Sequence, residues 1–142
     1  MPIRNANAVW HGNLFEGKGE MEFGSGAFKG QYSFKSRFEE GTGTNPEELI
    51  AAAHAGCFSM AFSATLADNG FKPEMVKTKS DVHLEKKDAG FTITTIVLNT
   101  EAKIPGIDDK KFQELGEMAK KGCPVSRALT GVEIKLNAKL VS

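Results

Sequence analysis

The chain has 142 residues, 40% of them hydrophobic, which suits a single domain over residues 1–142 with a true core. Its 18 Lys and Arg balance 18 Asp and Glu, so no net field exists to gather nucleic acid or an anionic membrane surface. The two cysteines, Cys57 and Cys123, stand 66 residues apart and outside any Cys-x-x-Cys pair or Cys/His cluster, which argues against a structural zinc site.

The first residues, Met1-Pro2-Ile3-Arg4-Asn5, lack the apolar core of a secretory signal, and the expected compartment is the cytoplasm. From Phe15 to Phe23 and from Phe28 to Phe34, apolar and aromatic residues alternate with polar ones between Gly17, Gly19, Gly24, Gly26 and Gly30. This pattern predicts a meander of about three short antiparallel strands, with Arg37 at the end of the third. Gly41-Thr42-Gly43-Thr44 then forms a break before a helix start, Asn45-Pro46-Glu47-Glu48. Asn45 suits the N-cap, Pro46 the first helical position, and Glu48 the place from which a capping-box carboxylate reaches back.

From Leu49 through Ala67 this helix has no charged residue, and Asp68-Asn69-Gly70 closes it with a glycine suited to the left-handed stop. The length raises the question of a membrane span, but Ala, Gly, Ser, Thr and His54 leave the stretch too weakly hydrophobic to prefer lipid. A helix apolar around its whole circumference is expected to be buried on all sides. A chain this small struggles to enclose a helix roughly 35 Å long, so a second copy is the expected cover. Ala51, Ala52, Ala53, Ala55 and Gly56 would admit another helix closely.

Val76, Thr78, Ser80, Val82 and Leu84 alternate along a strand, Lys87-Asp88-Ala89-Gly90 supplies a turn, and Phe91, Ile93, Thr95 and Val97 form one face of the returning strand. After Pro105-Gly106, Asp108 or Asp109 caps a helix with an apolar stripe at Phe112, Leu115, Met118 and Ala119. Gly122 ends it, Pro124 opens a short turn through Leu129, and Val132, Ile134, Leu136, Ala138 and Leu140 read as a last half-buried strand. The predicted class is α+β, built on antiparallel sheet.

From the residues alone each cysteine has two readings, a small buried hydrophobe or a reactive thiol. Cys57 lies mid-helix, where backbone N–H groups are already bonded and the terminal dipole does not reach, so a nucleophilic Cys57 needs a cation from elsewhere. His54, three positions earlier, and Arg37 are the candidates. Arg37 is preferred because guanidinium stays charged, whereas burial neutralises a histidine and leaves it a core imidazole. Glu47 suits the positive end of the helix. Cys123 precedes Pro124 at the edge of a turn, a setting for a resolving thiolate or for a buried loop thiol.

Four segments resemble the osmotically inducible protein C (OsmC) and organic hydroperoxide resistance (Ohr) superfamily, OsmC branch. They are Ser36-Arg37-Phe38-Glu39, Gly43 to Ile50, Ala52-Ala53-His54-Ala55-Gly56-Cys57-Phe58-Ser59-Met60, and Cys123-Pro124-Val125-Ser126-Arg127-Ala128-Leu129. The resemblance implies an intertwined homodimer, with antiparallel sheet wrapped around two long central helices bearing the peroxidatic cysteine. It also implies a cysteine-based organic hydroperoxide reductase with Cys57 as peroxidatic thiol, Cys123 as resolving thiol, Arg37 as activating cation and Glu47 as its carboxylate partner. Glu47 and Cys57 are separated by about 15 Å of helix, which leaves two arrangements for a carboxylate serving the arginine–thiolate pair, within one subunit or across to the other.

In the cycle so implied, Cys57 becomes a sulfenic acid, Cys123 condenses with it to a disulfide, and an external dithiol, such as a lipoylated protein, restores both thiols. No metal, haem, flavin or nicotinamide is called for, and no motif for one is visible. Phe38, Phe58, Met60 and Phe62 are expected either to line an apolar approach to Cys57 or to pack in the core. The competing readings are a dimeric module that binds an apolar ligand and a thiol redox sensor, although no nucleic-acid-binding motif is present.

Overall fold

The computed structural model describes residues 1–142. The chain falls into two compact units, Met1–Leu49 and Ile50–Ser142. In the first, strands β1 (Ala6–His11), β2 (Lys18–Phe23) and β3 (Lys29–Tyr32) form the expected antiparallel meander in the order β1-β2-β3. On the central strand Gly19 pairs with both Trp10 and Tyr32, whose rings meet at 5.3 Å. A side chain there would stand 2.5 Å from the Tyr32 ring, so the glycine is required by the aromatic pair above it.

Arg37 is not at a strand end. A capping box turns the chain at Ser33, whose hydroxyl accepts from Ser36 N–H while the Ser36 hydroxyl accepts from Ser33 N–H, and a short helix α1 (Phe34–Phe38) follows. Helix α2 (Pro46–Asp68) begins and ends as its sequence suggests. Asn45 Oδ1 accepts from Glu48 N–H at 2.7 Å, and Gly70 takes φ +86°. The expected reach of Glu48 back to the cap is replaced: its carboxylate accepts from the Thr44 hydroxyl at 2.6 Å.

The expectation that α2 is too weakly hydrophobic for lipid is not met, since by length and hydropathy it would suffice to cross a bilayer, but its four-residue line His54, Phe58, Phe62 and Leu66 is fully buried in the protein. The opposite line, Ala52, Gly56, Met60 and Ala64, is exposed in the single chain, so burial on all sides is met on one side only.

The second unit is organised by a sheet of order β4-β5-β6, formed by β4 (Met75–Lys87), β5 (Gly90–Lys103) and β6 (Glu133–Val141). A two-residue turn, Asp88-Ala89, joins β4 to β5. A bulge follows: His83 pairs with Thr95 and Leu84 with Ile93, leaving Thr94 surplus. The bulge corrects the expected face of β5. Ile93 stands opposite Leu84, but beyond Thr94 the parity changes, and Ile96, Leu98, Thr100 and Ala102 are the buried residues rather than Thr95 and Val97. The Thr94 hydroxyl donates to the Glu85 carboxylate and holds that carboxyl below its usual range.

The expected antiparallel sheet holds for β1–β2, β2–β3 and β4–β5, whereas β6 runs parallel to β5. Residues 104–132, which carry α3 (Asp109–Gly122) and α4 (Pro124–Ala128), form the crossover that a parallel neighbour requires. Asp108 caps α3 by accepting from Lys111 N–H, and Phe112, Leu115, Gly116 and Ala119 form its buried stripe. Met118 lies outside that stripe and is 51% exposed.

Phe62 is the hinge of this core, 5.6 Å from Phe58 and 5.3 Å from Phe112 between ring centres, with Gly116 leaving room for its edge. Phe62→Ala is expected to lower unfolding stability by about 3–5 kcal/mol in urea denaturation. Met118→Ala is expected to change it by under about 0.5 kcal/mol.

Candidate active site

In the first unit the α1 capping turn presents Arg37 to Glu47 on the first turn of α2. Arg37 Nε lies 3.1 and 3.3 Å from the two carboxylate oxygens, and Nη2 lies 2.8 Å from Oε1. The planar guanidinium is therefore held in a fork that lysine could not reproduce. The carboxylate is almost wholly buried and the arginine side chain is 35% exposed, which leaves the cation an open side. Its guanidinium also stacks 5.2 Å from the Phe38 ring centre. A cleft of about 230 Å³ opens here, lined by Trp10, Leu14, Tyr32, Ser33, Phe34, Arg37 and Phe38, so it is mainly aromatic and apolar with a single cation.

In the second unit Cys57, midway along α2, meets Cys123 at the N-cap of α4, with the sulfurs 3.2 Å apart and both thiols free. Cys57 is half-buried and Cys123 has no exposed surface. The surroundings pull the two thiols apart in acidity. Burial pushes Cys57 up; the Val125 N–H opposes this only partly, and Cys123 adds to the rise.

Burial also acts to raise Cys123, but the Ser126 N–H, the Cys57 thiol, the Ser126 hydroxyl and the Val125 N–H together outweigh it and bring Cys123 below the ordinary thiol value. Cys123 makes no formal side-chain cap bond to its helix, yet these groups lie close enough to favour its thiolate.

Behind Cys123, His54 Nε2 and Ser126 Oγ are 2.7 Å apart, both buried, joining α2 to α4 across 72 residues. Burial lowers the His54 pKa, as its reading as a core imidazole requires. The structure therefore brings Arg37 to Glu47 and Cys57 to Cys123. Of the four residues expected to line an apolar approach, Phe38 lines the Arg37 cleft, Phe58 and Phe62 are wholly in the core, and Met60 is 76% exposed. Sequence reasoning missed Ser126, whose only signal was its place three residues after Cys123 in a turn opened by Pro124. No three His, Cys, Asp or Glu side chains come together in a metal-holding group.

Because the folded-state His54 pKa lies below the ordinary value of 6.5, the unfolded chain binds the proton first. The stability that His54 contributes is complete above about pH 6.5 and is lost as pH falls from there through the lowered folded value. Urea midpoints across this window should decline in the wild type and decline less steeply in His54→Gln.

A sequence model of the family described as OsmC-like protein matches residues 39–137. The chain is 49% identical over 140 residues to a protein named peroxiredoxin OsmC from Escherichia coli (strain K12), covering 98% of this chain and 97% of that one. It is 36% identical over 101 residues to the organic hydroperoxide resistance protein OhrB of Bacillus subtilis (strain 168), covering 69% and 71% of the two chains. The crystal structure of Bacillus subtilis OhrB superposes with a TM-score of 0.72 at 27% identity, over 95% of this chain and 98% of that one. An organic hydroperoxide resistance protein OsmC from Legionella pneumophila gives 0.73 at 28% identity, over 98% and 99%. The fold, the paired cysteines and the sequence likeness over nearly the whole chain lead to one conclusion: the chain belongs to the OsmC-like protein family.

Proposed function

We propose that the protein is a cytoplasmic thiol peroxidase that reduces organic hydroperoxides to alcohols. The observation that carries this reading is a pair of free sulfurs 3.2 Å apart, one partly reachable from solvent and the other sealed. Only Cys57 can meet a peroxide first. Its thiolate attacks the distal oxygen, the O–O bond breaks, and the departing alkoxide takes a proton to leave as alcohol, so Cys57 becomes a sulfenic acid. Cys123 then attacks that sulfur, forming a disulfide and releasing water, which protects Cys57 from further oxidation. An external dithiol returns both thiols by exchange. The names of relatives, a peroxiredoxin and organic hydroperoxide resistance proteins, support the same reaction class.

Burial alone keeps Cys57 protonated, so the reaction needs a cation at its sulfur. Arg37 is assigned this role, with Glu47 fixing the guanidinium plane and the apolar cleft receiving the organic group. Since Arg37 and Glu47 pair within one chain, the pair is proposed to serve Cys57 as a unit, and in a homodimer it serves the partner's thiolate. The exposed small-residue line of α2, with Ala52, Gly56 and Ala64, suits close approach of a second copy.

Mass spectrometry after one equivalent of cumene hydroperoxide should find a Cys57–Cys123 linkage in the wild type and an oxidised Cys57 in Cys123→Ser. Unreacted thiols, or oxidation that starts at Cys123, would end the proposal. Arg37→Ala should slow Cys57 oxidation at neutral pH roughly 100-fold or more and move its pH profile upward in stopped-flow measurements. Mixed Glu47→Ala and Cys57→Ser chains should regain activity as heterodimers; no recovery would place the arginine–glutamate pair and the thiolate in the same subunit.

A further inference from the structure

His54 is wholly buried, and its two ring nitrogens have unequal surroundings. Nε2 lies 2.7 Å from Ser126 Oγ, while Nδ1 has no hydrogen-bond partner. A neutral imidazole carries one N–H and one lone pair, and a buried N–H without an acceptor is the rarer and less tolerable of the two orphans. The lone pair therefore belongs on Nδ1 and the proton on Nε2. His54 Nε2–H donates to Ser126 Oγ, which leaves the Ser126 hydroxyl hydrogen free to point elsewhere. Ser126 stands at the third position of the turn that Cys123 caps, the place from which a side chain reaches back toward the capping residue.

We propose that His54 and Ser126 are positioning residues for the resolving step: His54 orients the Ser126 hydroxyl so that its hydrogen faces Cys123 Sγ and holds that sulfur ready to attack Cys57. The assignment rests on the peroxidase reading for its use in catalysis. In the step concerned, the Cys123 thiol gives up its proton, and its thiolate attacks the sulfur of the Cys57 sulfenic acid. The S–S bond forms as the S–O bond breaks, and the departing hydroxide takes a proton to become water. The serine hydroxyl supplies a hydrogen bond to the thiolate without giving up its proton. The titratable side chain against Cys123 is Cys57 of α2, and His54 of the same helix is linked to α4 through Ser126. Lys120 of α3 is turned to the Ile134 carbonyl and Glu117, and Lys121 and Arg127 are exposed.

Two measurements test this. In the first, Cys123 is titrated by the ultraviolet absorbance of its thiolate in a Cys57→Ser background, where no peroxide chemistry is involved. Adding Ser126→Ala or His54→Leu should raise the midpoint by about one pH unit. His54→Gln, whose side-chain amide keeps a donor near the place of Nε2, should stay near the parent value. In the second, the full-length protein with both cysteines is oxidised in a single turnover, and conversion of sulfenic acid to disulfide is followed across pH. Ser126→Ala and His54→Leu should resolve about tenfold more slowly at neutral pH, with the profile moved upward, and His54→Gln should resolve near the wild-type rate.

Unchanged Cys123 titration and unchanged resolution in Ser126→Ala would overturn the proposal while leaving the peroxidase reading intact. Shifted titration in a wild type that forms no disulfide would support the action of the pair on Cys123 and overturn its role in resolution. If His54→Leu fails to fold, Ser126→Ala and His54→Gln still decide, because a failure of Gln to match the parent would refute the donor argument.

Discussion

The candidate centre depends on how α2 is seated in its unit. Phe58, Phe62 and Leu66 are spaced four residues apart and have no exposed surface, so burial of this one line sets the rotation of the helix. His54 continues the line, and Cys57 stands beside it at the edge of the buried face. Each residue step turns a helix by about 100°, so a one-residue slip in the packing would carry Cys57 away from α4. The sulfur–sulfur distance of 3.2 Å is thus a product of apolar contacts that themselves contain no chemistry. The hydroxyl link from Ser59 through Thr78 to Thr100 ties the same helix to the sheet and limits its sliding.

Access and acidity are divided between the two sulfurs. The reachable one is raised by burial, and the sealed one is lowered by nearby donors. Of the two, Cys57 is the one open to oxidant and the one whose ionisation burial opposes, while Cys123 has the lowered pKa and no exposed surface. Joined through one hydrogen bond, they form a unit in which a proton can pass between sulfurs, and a guanidinium arriving at Cys57 would draw the negative charge to the exposed side. The Arg37–Glu47 fork holds its guanidinium plane in one orientation.

Local signals were legible in the sequence. Asn45-Pro46 and Gly70 mark the ends of α2 because capping and left-handed stops involve only neighbouring residues, and the turn at Asp88-Ala89 is local in the same way. Direction and parity were not. The alternation at Ile134, Leu136 and Ala138 identifies a strand without saying that it runs parallel to its neighbour, and no pattern in Thr92-Ile93-Thr94-Thr95 announces the surplus residue. Arg37 was misplaced because the Ser33–Ser36 box ends the strand-like alternation one turn earlier than the aromatic pattern suggests. At the centre, the meeting of Cys57 with Cys123 was legible only through family resemblance, since spacing carries no distance. The contact of His54 with Ser126, 72 residues away, had no signal that pairs the two residues.

The surplus residue at Thr94 has a further consequence for how this hairpin can change in length. Because the ladder counts one residue more on β5 than on β4, losing Thr94 would leave a regular hairpin whose inner and outer faces still match at both ends. A single-residue loss between Ile96 and Ala102 would instead turn outward residues such as Glu101 and Lys103 toward the interior. Natural variation by deletion should therefore be tolerated at that one irregular point and excluded along the strand that follows it.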